Sequence, residues 1–376
     1  MTVLTNAAIV LPDEVVHGHI VIEDGKIAAI GSGPAEGEDC EGDTIIPGLI
    51  ELHTDHLEVH VAPRPGVRWN LTAAIQAHDA QMASSGITTV FDALRVGLVN
   101  DRGLTSAESR TLADAIMAAG RDGRLRAEHR FHLRCEVSTE HALPGFELFE
   151  DLPTIDLVSL MDHTPGQRQF RSMDAYRMYF QTSKGLSDEE FVAFEAEQRA
   201  EAARWSHGNR IALAERAKAR GAVIASHDDA TEDHVAEAVR DGVTLAEFPT
   251  TIEAADASRR HGMKILMGGP NLVRGGSHSG NVSAGELAER GVLDILSSDY
   301  VPFSLLQSAF LLAEEGHNSL PDAIKTVTAT PAAVMGLDDR GRLAQGLRAD
   351  LVRVRRAADD SVPVVRGVWR AGTRVA

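Results

Sequence analysis

Six side chains of the kind that bind metal ions each lie at the end of a short apolar segment of the chain. They are His53 and Asp55, which end the same segment, and then Glu136, His163, His227 and Asp299. A single residue of this kind more often has a structural role, because a histidine can hydrogen-bond within the fold and an aspartate can cap the next helix. Six of them in equivalent positions are better explained by one shared metal site.

The donor types and their spacing indicate which ions such a site would bind. Residues two apart on a strand point to the same side, so His53 and Asp55 can face one ion. Imidazole nitrogen and carboxylate oxygen without thiolate favour Zn²⁺, Mn²⁺ or Fe²⁺ over an all-oxygen Ca²⁺ site. A carboxylate such as Glu136 can bridge two ions. We therefore predict one or two divalent transition ions, with zinc as the first choice and manganese or iron as alternatives.

The segments that must position these residues alternate with helical patterns. Strand candidates between Thr44 and Asp299 are TIIPGLIELH, GITTVFDAL, RFHLRCEVS, DLVSLMDH, GAVIASHD, VTLAEFPTT, KILMGGP and VLDILSSD. A capping box at Ser187 and Glu190 predicts one helix start, and Asn209 predicts another at NRIALAERAKAR. The alternation predicts a (β/α)₈ barrel with its chemistry at the carboxyl ends of the strands. An open doubly wound sheet is the alternative, but no G-x-G-x-x-G follows the first strand.

The two ends of the chain differ from its middle. AAIVL, HIVIED and KIAAIG near the start, and ADLVRVR and VPVVRGVWRAG near the end, are short and β-branched. Asp24-Gly25, between the second and third of these segments, is a strong hairpin signal. We therefore predict an α/β protein in which residues 1–44 and 340–376 form a small composite β-sandwich domain. Residues 45–339 form the TIM-type barrel.

Charge and composition exclude several classes of protein. The 376-residue chain has 37 basic and 55 acidic side chains, a formal net charge of −18, and 43% hydrophobic residues. This balance is globular, and the acidity argues against nucleic acid or an anionic membrane as a partner. Cys40 and Cys135 offer no disulfide framework. MTVLTNAAIVLPDE lacks a signal-peptide pattern, and no apolar run reaches about 18 residues. We expect a cytoplasmic protein that acts on a small molecule, and homo-oligomerisation stays open.

Two stretches resemble a known family. IIPGLIELHTDHLE resembles the first-strand signature of the amidohydrolase superfamily, and LPDAIKTVTATPAAVMGLDDRGRLAQGLRADLV resembles the return of its chain into a small β-sandwich. The resemblance implies a metal-dependent (β/α)₈ hydrolase. Its usual H-x-H is here H-T-D from His53 to Asp55. Its carboxylated lysine has no counterpart, and Glu136 is similar to the glutamate that replaces it in some branches. His163 and His227 end the fourth and fifth predicted strands, whereas most members use the fifth and sixth.

Three motifs resemble one branch of that superfamily. LHTDHLEVHVAPRPGVRW, GGPNLVRGGSHSGNVSA and SSDYVP are similar to the phosphonate-utilisation branch, which serves the carbon–phosphorus lyase pathway. The resemblance implies hydrolysis of a ribose 5-triphosphate that carries a 1-methylphosphonate group, with release of pyrophosphate. In this reaction we expect water activated by a metal to attack, with Asp299 as the general base that accepts its proton.

Two other functions stay open. A C–N hydrolase or deaminase acting on a cyclic amide or nucleobase can use the same scaffold, and the ligand residues alone do not distinguish it. A non-catalytic barrel that serves only in assembly predicts missing ligands, whereas the six candidates are present. The Gly/Ser-rich, cationic loop after the seventh strand favours a triphosphate, because an uncharged ring would not need it.

Loops beside the predicted mouth carry cations and hydrogen-bond donors. An acidic protein needs such groups at the site itself to bind a strongly anionic substrate. The candidate substrate-binding residues are Arg64, Arg68, Lys184, Arg274, Ser277, His278, Ser279 and Asn281. Arg168 and Arg171 lie on the same long loop as Lys184, and a solvated loop is the alternative role for these three. His278 could also protonate or hydrogen-bond the leaving group.

The remaining histidines are weaker candidates. His56 and His60 are four residues apart, but the prolines that follow them indicate a loop or a supporting position near the metal site. Five further histidines are predicted to be surface residues: His17, His78, His129, His207 and His317.

Overall fold

Most of the chain is described by a computed structural model. The described residues are 1–64, 66–98, 104–166, 168, 176–177, 181, 185–277, 280–356 and 362–376. Four residues named above lie outside these ranges, namely Arg171, Lys184, His278 and Ser279. Within the ranges, none of the helices combines the length and apolarity that crossing a membrane requires.

The described strands form two sheets. In chain order they are β1 (Thr2–Val10), β2 (Val15–Glu23), β3 (Lys26–Ser32), β4 (Glu38–Asp39), β5 (Thr44–Pro47), β6 (Leu49–Thr54), β7 (Ile87–Val96), β8 (Glu128–Glu136), β9 (Leu157–Met161), β10 (Val223–His227), β11 (Leu245–Glu247), β12 (Lys264–Gly268), β13 (Ile295–Ser297), β14 (Leu351–Arg355), β15 (Val364–Arg370) and β16 (Thr373–Arg374). Strands β6 to β13 pair in chain order, each parallel to the next. A parallel bridge between Thr54 and Asp299 joins the end of β13 to β6. The predicted (β/α)₈ barrel is confirmed.

The inward face of the barrel changes from apolar to polar along the strands. Phe91, Leu157 and Leu245 belong to one fully buried cluster to which strands around the barrel contribute. Burying each such side chain contributes roughly 1.5–3 kcal/mol. Two residues further along their strands, Ser159 and Glu247 occupy the same face and are also fully buried. The apolar layer thus forms the base on which a polar layer stands at the carboxyl end.

Helices fill the connections between the barrel strands. The described helices are α1 (Leu57–Val61), α2 (Leu71–Ser84), α3 (Ser106–Arg121), α4 (Ala142–Glu147), α5 (Asp188–Ala219), α6 (Glu232–Arg240), α7 (Ile252–Arg260), α8 (Gly269–Val273), α9 (Ala284–Glu289), α10 (Ser304–Glu314), α11 (Leu320–Lys325) and α12 (Ala329–Val334). The predicted start of α5 is confirmed, because the Ser187 hydroxyl accepts the Glu190 N–H at 3.2 Å and the Glu190 carboxylate accepts the Ser187 N–H at 2.8 Å.

Asn209 does not begin a helix, and that prediction is wrong. Helix α5 runs unbroken through this position, where Asn209 is buried. Its side-chain amide donates to the backbone oxygens of Val137 at 2.9 Å and Thr139 at 2.7 Å. The tendency of asparagine to cap a helix is overridden here by these two tertiary hydrogen bonds. They fasten the middle of α5 to the loop after β8.

The strands from the two ends of the chain form the second sheet. Its order is β16-β15-β14-β5-β1-β2-β3, with β4 beside β1, so a separate β-domain from both ends is present as predicted. The predicted hairpin is confirmed at Asp24 and Gly25, whose φ angles of 47° and 77° fit a two-residue turn between β2 and β3. Strand β5 pairs with both β1 and β14, so the sheet continues beyond residue 44. The division of the chain at residues 44 and 340 stays a prediction.

Ion pairs join the barrel to the segment that leads into β14. The carboxylate of Glu128, at the start of β8, accepts hydrogen bonds from Arg340 at 2.8 Å and Arg348 at 2.5 Å. Arg340 also donates to the hydroxyl of Thr89 at 3.0 Å. Burial alone would raise the pKa of Glu128, but the two guanidinium groups lower it to about 2. This carboxylate is therefore ionised and connects the two parts of the chain.

Two histidines predicted to be surface residues are buried between α2 and the barrel, so that prediction is wrong. Nε2 of His78 lies 2.8 Å from Oδ1 of Asp92. His129 lies between two carboxylates, with Nδ1 2.7 Å from Asp92 and Nε2 3.2 Å from Asp79. Burial alone would lower the pKa of His129, but Asp92 and Asp79 raise it to about 9. Helix α2 can cover these polar groups because they compensate one another's charge.

The other three histidines predicted to be on the surface differ in exposure. His17 and His207 are exposed, as predicted. His317 keeps only 14% of its side chain exposed, and its Nε2 lies 3.2 Å from a carboxylate oxygen of Glu315. His317 is therefore partly buried rather than on the surface.

Candidate metal centre at the barrel mouth

Two histidines and one glutamate form the floor of the barrel mouth. His53 lies on β6, and His227 and Glu247 are the last residues of β10 and β11; all three are buried. Nδ1 of His53 is 3.3 Å from Oε1 of Glu247, and Nδ1 of His227 is 3.2 Å from its Oε2. An ionised carboxylate only accepts hydrogen bonds, so both Nδ1 atoms carry the proton. A carboxylate partner of this kind orients an imidazole to bind metal through its Nε2.

The Nε2 atoms of these histidines face further carboxylates. Nε2 of His53 is 3.8 Å from Oδ1 of Asp55, and Nε2 of His227 is 3.3 Å from Oδ2 of Asp228. Beside the group formed by His53, His227 and Glu247, two further groups have ligand atoms within 4.8 Å of one another: His53, Asp55 and Asp299, and His163, His227 and Asp228. The rings of His53 and His227 are stacked with centroids 5.6 Å apart, so the two groups are adjacent.

Glu136 is directed at His163. Its Oε2 lies 2.5 Å from Nδ1 of His163, and the hydroxyl of Ser138 donates to its Oε1 at 2.6 Å. Burial alone would raise the pKa of Glu136, but the His163 imidazole and the Ser138 hydroxyl lower it. Glu136 thus orients His163 in the way that Glu247 orients His53. Its predicted role as a bridging ligand stays a prediction.

Asp299 reaches the site because the backbone turns directly after β13. Its φ is 53°, and Asp228 after β10 has a φ of 58°. Both lie in the left-handed region, which aspartate tolerates better than most residues. The Asp299 N–H donates to the His53 oxygen and the Asp55 N–H donates to the Asp299 oxygen, each at 3.1 Å. These two hydrogen bonds fix Asp299 against the end of β6.

A buried glutamate fastens the same two strand ends from below. Glu51 accepts the backbone N–H of His53 at 2.7 Å and that of Ser298 at 2.5 Å. Burial raises the pKa of Glu51 to about 7. The carboxyl group holds the chain on either side of the barrel closure and thereby sets the spacing of His53 and Asp299.

The two aspartates of the first group differ in acidity. Burial and the negative charge of Asp55 raise the pKa of Asp299 to about 6. Burial alone would also raise the pKa of Asp55, but the Arg134 guanidinium and His53 lower it. A carboxyl group with a pKa near neutrality can take up and release a proton at working pH. Asp299 therefore binds a proton more readily than Asp55, and its role as general base stays a prediction.

The chemistry of the donor set fits a divalent ion. Oδ2 of Asp228 is buried, close to His227, and forms no hydrogen bond among the described residues. An ion can satisfy such a carboxylate oxygen, whereas leaving it without a partner is costly. Imidazole nitrogens and carboxylate oxygens suit zinc, manganese or iron. The number and identity of the ions stay predictions.

The predicted substrate-binding residues that the structure describes lie on the rim. Arg64 and Arg68 are exposed on the loop after α1. Arg274 is exposed where α8 ends, and Ser277 and Asn281 follow it in partly buried positions. The structure therefore places these groups outside the metal-type clusters, and their contact with substrate stays a prediction.

Arg168 is neither a solvated loop residue nor a rim cation. Its side chain is 4% exposed, its Nη2 donates to Glu237 at 2.8 Å, and its Nη1 donates to Asp229. Both expectations for this residue are wrong, because two carboxylates compensate its buried charge.

His56 and His60 have supporting positions beside the mouth. His56 precedes α1 and His60 lies within it. Their Nε2 atoms lie 2.9 and 3.2 Å from Oε1 of Gln81, and Nδ1 of His56 lies 3.3 Å from the Tyr300 oxygen. They thus connect α1, α2 and the loop after β13.

Three residues of the site were not found from the sequence, although signals for them exist. Glu247 lies in the middle of the predicted segment VTLAEFPTT, and it is selected as a strand-end residue only once β11 is seen to end there. Arg134 lies two residues before Glu136, so strand alternation places both on one face. Asp228 follows His227 directly, and only its left-handed backbone turns it into the site.

A parallel eight-stranded barrel with imidazole and carboxylate donors at its carboxyl end defines a (β/α)₈ protein with a metal-type site. A family model described as the amidohydrolase family matches residues 201–376. The chain is 49% identical to the alpha-D-ribose 1-methylphosphonate 5-triphosphate diphosphatase of Escherichia coli strain K12, over 99% of this chain and 100% of that protein. The chain belongs to the amidohydrolase family, as the sequence motifs predicted, and family membership implies a divalent metal ion.

Two more distant proteins match nearly the whole chain. Imidazolonepropionase of Streptomyces coelicolor is 26% identical over 99% of this chain and 98% of its own. The crystal structure of dihydropyrimidinase from Brevibacillus agri superposes with a TM-score of 0.63 at 14% identity, covering 99% of this chain and 94% of that chain. The second comparison establishes the fold alone.

Proposed function

We propose that the protein hydrolyses α-D-ribose 1-methylphosphonate 5-triphosphate to α-D-ribose 1-methylphosphonate 5-phosphate and pyrophosphate, in phosphonate catabolism. The observation that carries the proposal is the 49% identity, over the whole length, to the E. coli diphosphatase that bears this substrate in its name. The motifs LHTDHLEVHVAPRPGVRW, GGPNLVRGGSHSGNVSA and SSDYVP support the same assignment.

The metal ion would be held by the residues of the two adjacent clusters. His53 and His227 would bind through Nε2, because Glu247 occupies both Nδ1 atoms. Asp55 and Asp299 would complete the first group, and His163 would bind beside His227. When bound, a zinc, manganese or iron ion supplies Lewis acidity and makes hydroxide available near neutral pH.

Asp299 acts as the general base. It is buried beside His53 and Asp55, and burial together with the charge of Asp55 raises its pKa to about 6. It therefore binds a proton more readily than an ordinary aspartate and can accept one from the attacking water. The water oxygen forms a bond to phosphorus, and the phosphoanhydride bond to pyrophosphate breaks.

Cationic and donor groups at the rim bind the phosphates. Arg64, Arg68 and Arg274 supply charge, and Ser277 and Asn281 supply hydrogen bonds from the loop after α8. Lys184, His278 and Ser279, which lie outside the described residues, are assigned to the same task on their sequence positions. Phosphoryl transfer depends mainly on positioning and charge neutralisation, which these groups provide.

A C–N hydrolase acting on a cyclic amide is the second candidate. The likeness to imidazolonepropionase, at 26% identity over nearly the whole chain, favours it. The higher identity to a diphosphatase and the cations at the mouth favour the triphosphate.

Two features, the thiols and the class of substrate, support a cytoplasmic location. Cys40 and Cys135 are both buried and unpaired, which suits a reducing compartment. We therefore assign the enzyme to the cytoplasm, where a small-molecule phosphonate intermediate would be its substrate.

One assay separates the candidates. Metal-loaded protein is incubated with the ribose triphosphate phosphonate and, separately, with dihydropyrimidine and imidazolone rings. Release of pyrophosphate from the first with no ring opening supports the proposal. Ring opening without pyrophosphate release overturns it in favour of the C–N hydrolase.

A further inference from the structure

Two arginines stand side by side inside the barrel mouth. Arg95 on β7 and Arg134 on β8 are direct register partners of the two parallel strands. Phe91 lies inside the barrel and His132 reaches the Leu52 oxygen across it, so strand alternation places both arginines on the inner face. They occupy the level of the polar layer, next to the residues assigned to the metal.

Arg134 is the more deeply placed of the pair. Its side chain is 11% exposed, and its Nη1 donates to Oδ1 of Asp55. Its Nε is buried and has no hydrogen-bond partner among the described residues. A guanidinium group offers five N–H donors, so a buried Arg134 with one carboxylate partner and an unpartnered Nε has capacity for a further acceptor.

Arg95 lies nearer the solvent on the same face. Its Nε donates to Oε1 of Glu58 on α1 at 2.6 Å, and its side chain is 23% exposed. Glu58 therefore binds Arg95, and Asp55 binds Arg134. These two ion pairs extend from the rim to the metal-type cluster. They hold their cations next to the reacting centre, whereas Arg64, Arg68 and Arg274 lie on the rim.

We propose that Arg95 and Arg134 form a phosphate subsite inside the mouth, which binds the phosphate of the substrate next to the scissile anhydride bond. The inference rests on the proposed function and deepens it. Guanidinium groups bind phosphate oxygens through paired N–H donors, and such bonds are stronger in a buried site. Asp55 has two oxygens and can bind Arg134 and an ion together.

The subsite also explains selection between substrate classes. A buried arginine whose remaining donors are meant for a phosphate is left unsatisfied by an uncharged cyclic amide, and an unsatisfied buried donor is costly. The pair therefore disfavours a neutral ring at the place where it favours a phosphate.

A purely structural role makes a different prediction. If Arg134 served only to compensate and orient Asp55, its removal would lower the metal content. Binding of a phosphate to protein that still holds metal would then be unchanged.

The test compares phosphate binding with metal content in the metal-loaded enzyme. The variants are Arg134→Ala, Arg134→Lys and Arg95→Ala. The control is Arg290→Ala, which removes a half-exposed arginine paired with Asp256 at 2.9 Å on the outside of the barrel. Ribose 5-phosphate is the probe, and calorimetry measures its dissociation constant for each variant. The KM for the triphosphate and the metal content, from elemental analysis, are measured on the same preparations.

We expect Arg134→Ala to weaken ribose 5-phosphate binding about 10- to 100-fold, the effect of one charged hydrogen bond. KM should rise in parallel, Arg134→Lys should recover part of the loss, and the control should match wild type. Unchanged ribose 5-phosphate binding in metal-replete Arg134→Ala and Arg95→Ala overturns the inference. If Arg134→Ala does not fold, ribose 5-phosphate binding by Arg134→Lys and Arg95→Ala tests the inference instead. Wild-type protein that releases no pyrophosphate from the triphosphate contradicts the proposed function instead.

Discussion

Nδ1 of His53 lies 3.3 Å from Oε1 of Glu247, in a part of the barrel from which water is excluded. Burial alone would raise the pKa of Glu247, but the imidazoles of His132 and His53 hold it well below its usual range. The carboxylate is therefore ionised, keeps the proton of His53 on Nδ1 and leaves Nε2 to face Asp55. The other oxygen of Glu247 does the same for His227, so one side chain orients the imidazoles of both clusters.

Replacing Glu247 by glutamine should weaken metal binding by about 10- to 100-fold, the usual cost of losing such support. The amide can present its NH₂ group to an imidazole nitrogen and so favour the wrong tautomer. Metal retention against a graded chelator series, followed by elemental analysis, measures the effect. Glu289→Gln on the exposed end of α9 is the control, and equal retention by both variants would contradict the assigned support.

Asp299→Asn should lower turnover about 10²- to 10⁴-fold, because it removes the group that accepts the proton of the attacking water. Asp299 is also a candidate ligand, so turnover is compared at saturating metal and normalised to bound metal. Asp338→Asn, at an exposed position, serves as the control. A metal-replete Asp299→Asn variant with near-wild-type turnover would refute the role of general base.

The sequence predicts the barrel well because the patterns that mark its strands and its helices are each contained in a short stretch of chain. Each strand segment is short, apolar and bounded by turn residues, and all eight segments contribute a barrel strand. The first segment, TIIPGLIELH, is divided, because its residues Thr44–Pro47 form β5 of the other sheet. Choosing metal-type residues at the ends of predicted strands also found His53, Asp55 and Asp299, which lie together in the structure. They do so because parallel strands have their carboxyl ends on the same side of the barrel. Asn209 was misinterpreted because a local capping preference says nothing about the tertiary hydrogen bonds that bury it.

The burial of charged groups that pair across the fold could not be predicted from the sequence. The sequence around His78 and His129 gives no sign that they are buried. Both contact Asp92, which is 14 residues from His78 and 37 residues from His129 along the chain. Arg168 was misplaced for the same reason, because its partner Asp229 is 61 residues away. Compensation between distant charges is a property of the assembled barrel, and periodicity does not encode it.

Arg274→Ala should reduce kcat/KM for the ribose triphosphate by about tenfold or more, the value of one charged hydrogen bond. Arg274 is exposed at the end of α8, so its loss should leave the melting temperature nearly unchanged. The measurement compares the triphosphate with an uncharged surrogate. Equal losses on both substrates, together with a lower melting temperature, would show that Arg274 only holds its loop.

Glu128→Gln should destabilise the protein by about 2 kcal/mol at neutral pH, because the carboxylate binds Arg340 and Arg348. The pKa of Glu128 is lowered from 4.5 to about 2, so its stabilisation is present above pH 4.5 and is lost as the pH falls towards 2. Urea unfolding at pH 7 and at about pH 3 measures the difference between wild type and variant. A difference that stays constant over this range would contradict the ion-pair assignment.

His129→Gln should destabilise the protein most at low pH, which is the opposite of the pH dependence expected for Glu128→Gln. The folded-state pKa of His129 is raised from 6.5 to about 9, because Asp92 and Asp79 outweigh its burial. The stabilisation is therefore complete below pH 6.5 and is lost as the pH rises through 9. Below pH 6.5 the variant leaves the buried carboxylate of Asp92 without its cation, at a cost of about 3–5 kcal/mol, whereas Asp79 keeps its ion pair with Arg126. Urea unfolding at pH 6, 7.5 and 9 should show a gap between wild type and His129→Gln that narrows as the pH rises. His207→Gln, at an exposed position on α5, should show no gap at any of these pH values. A gap for His129→Gln that does not change with pH would mean that the imidazole is neutral and only packs between α2 and β8.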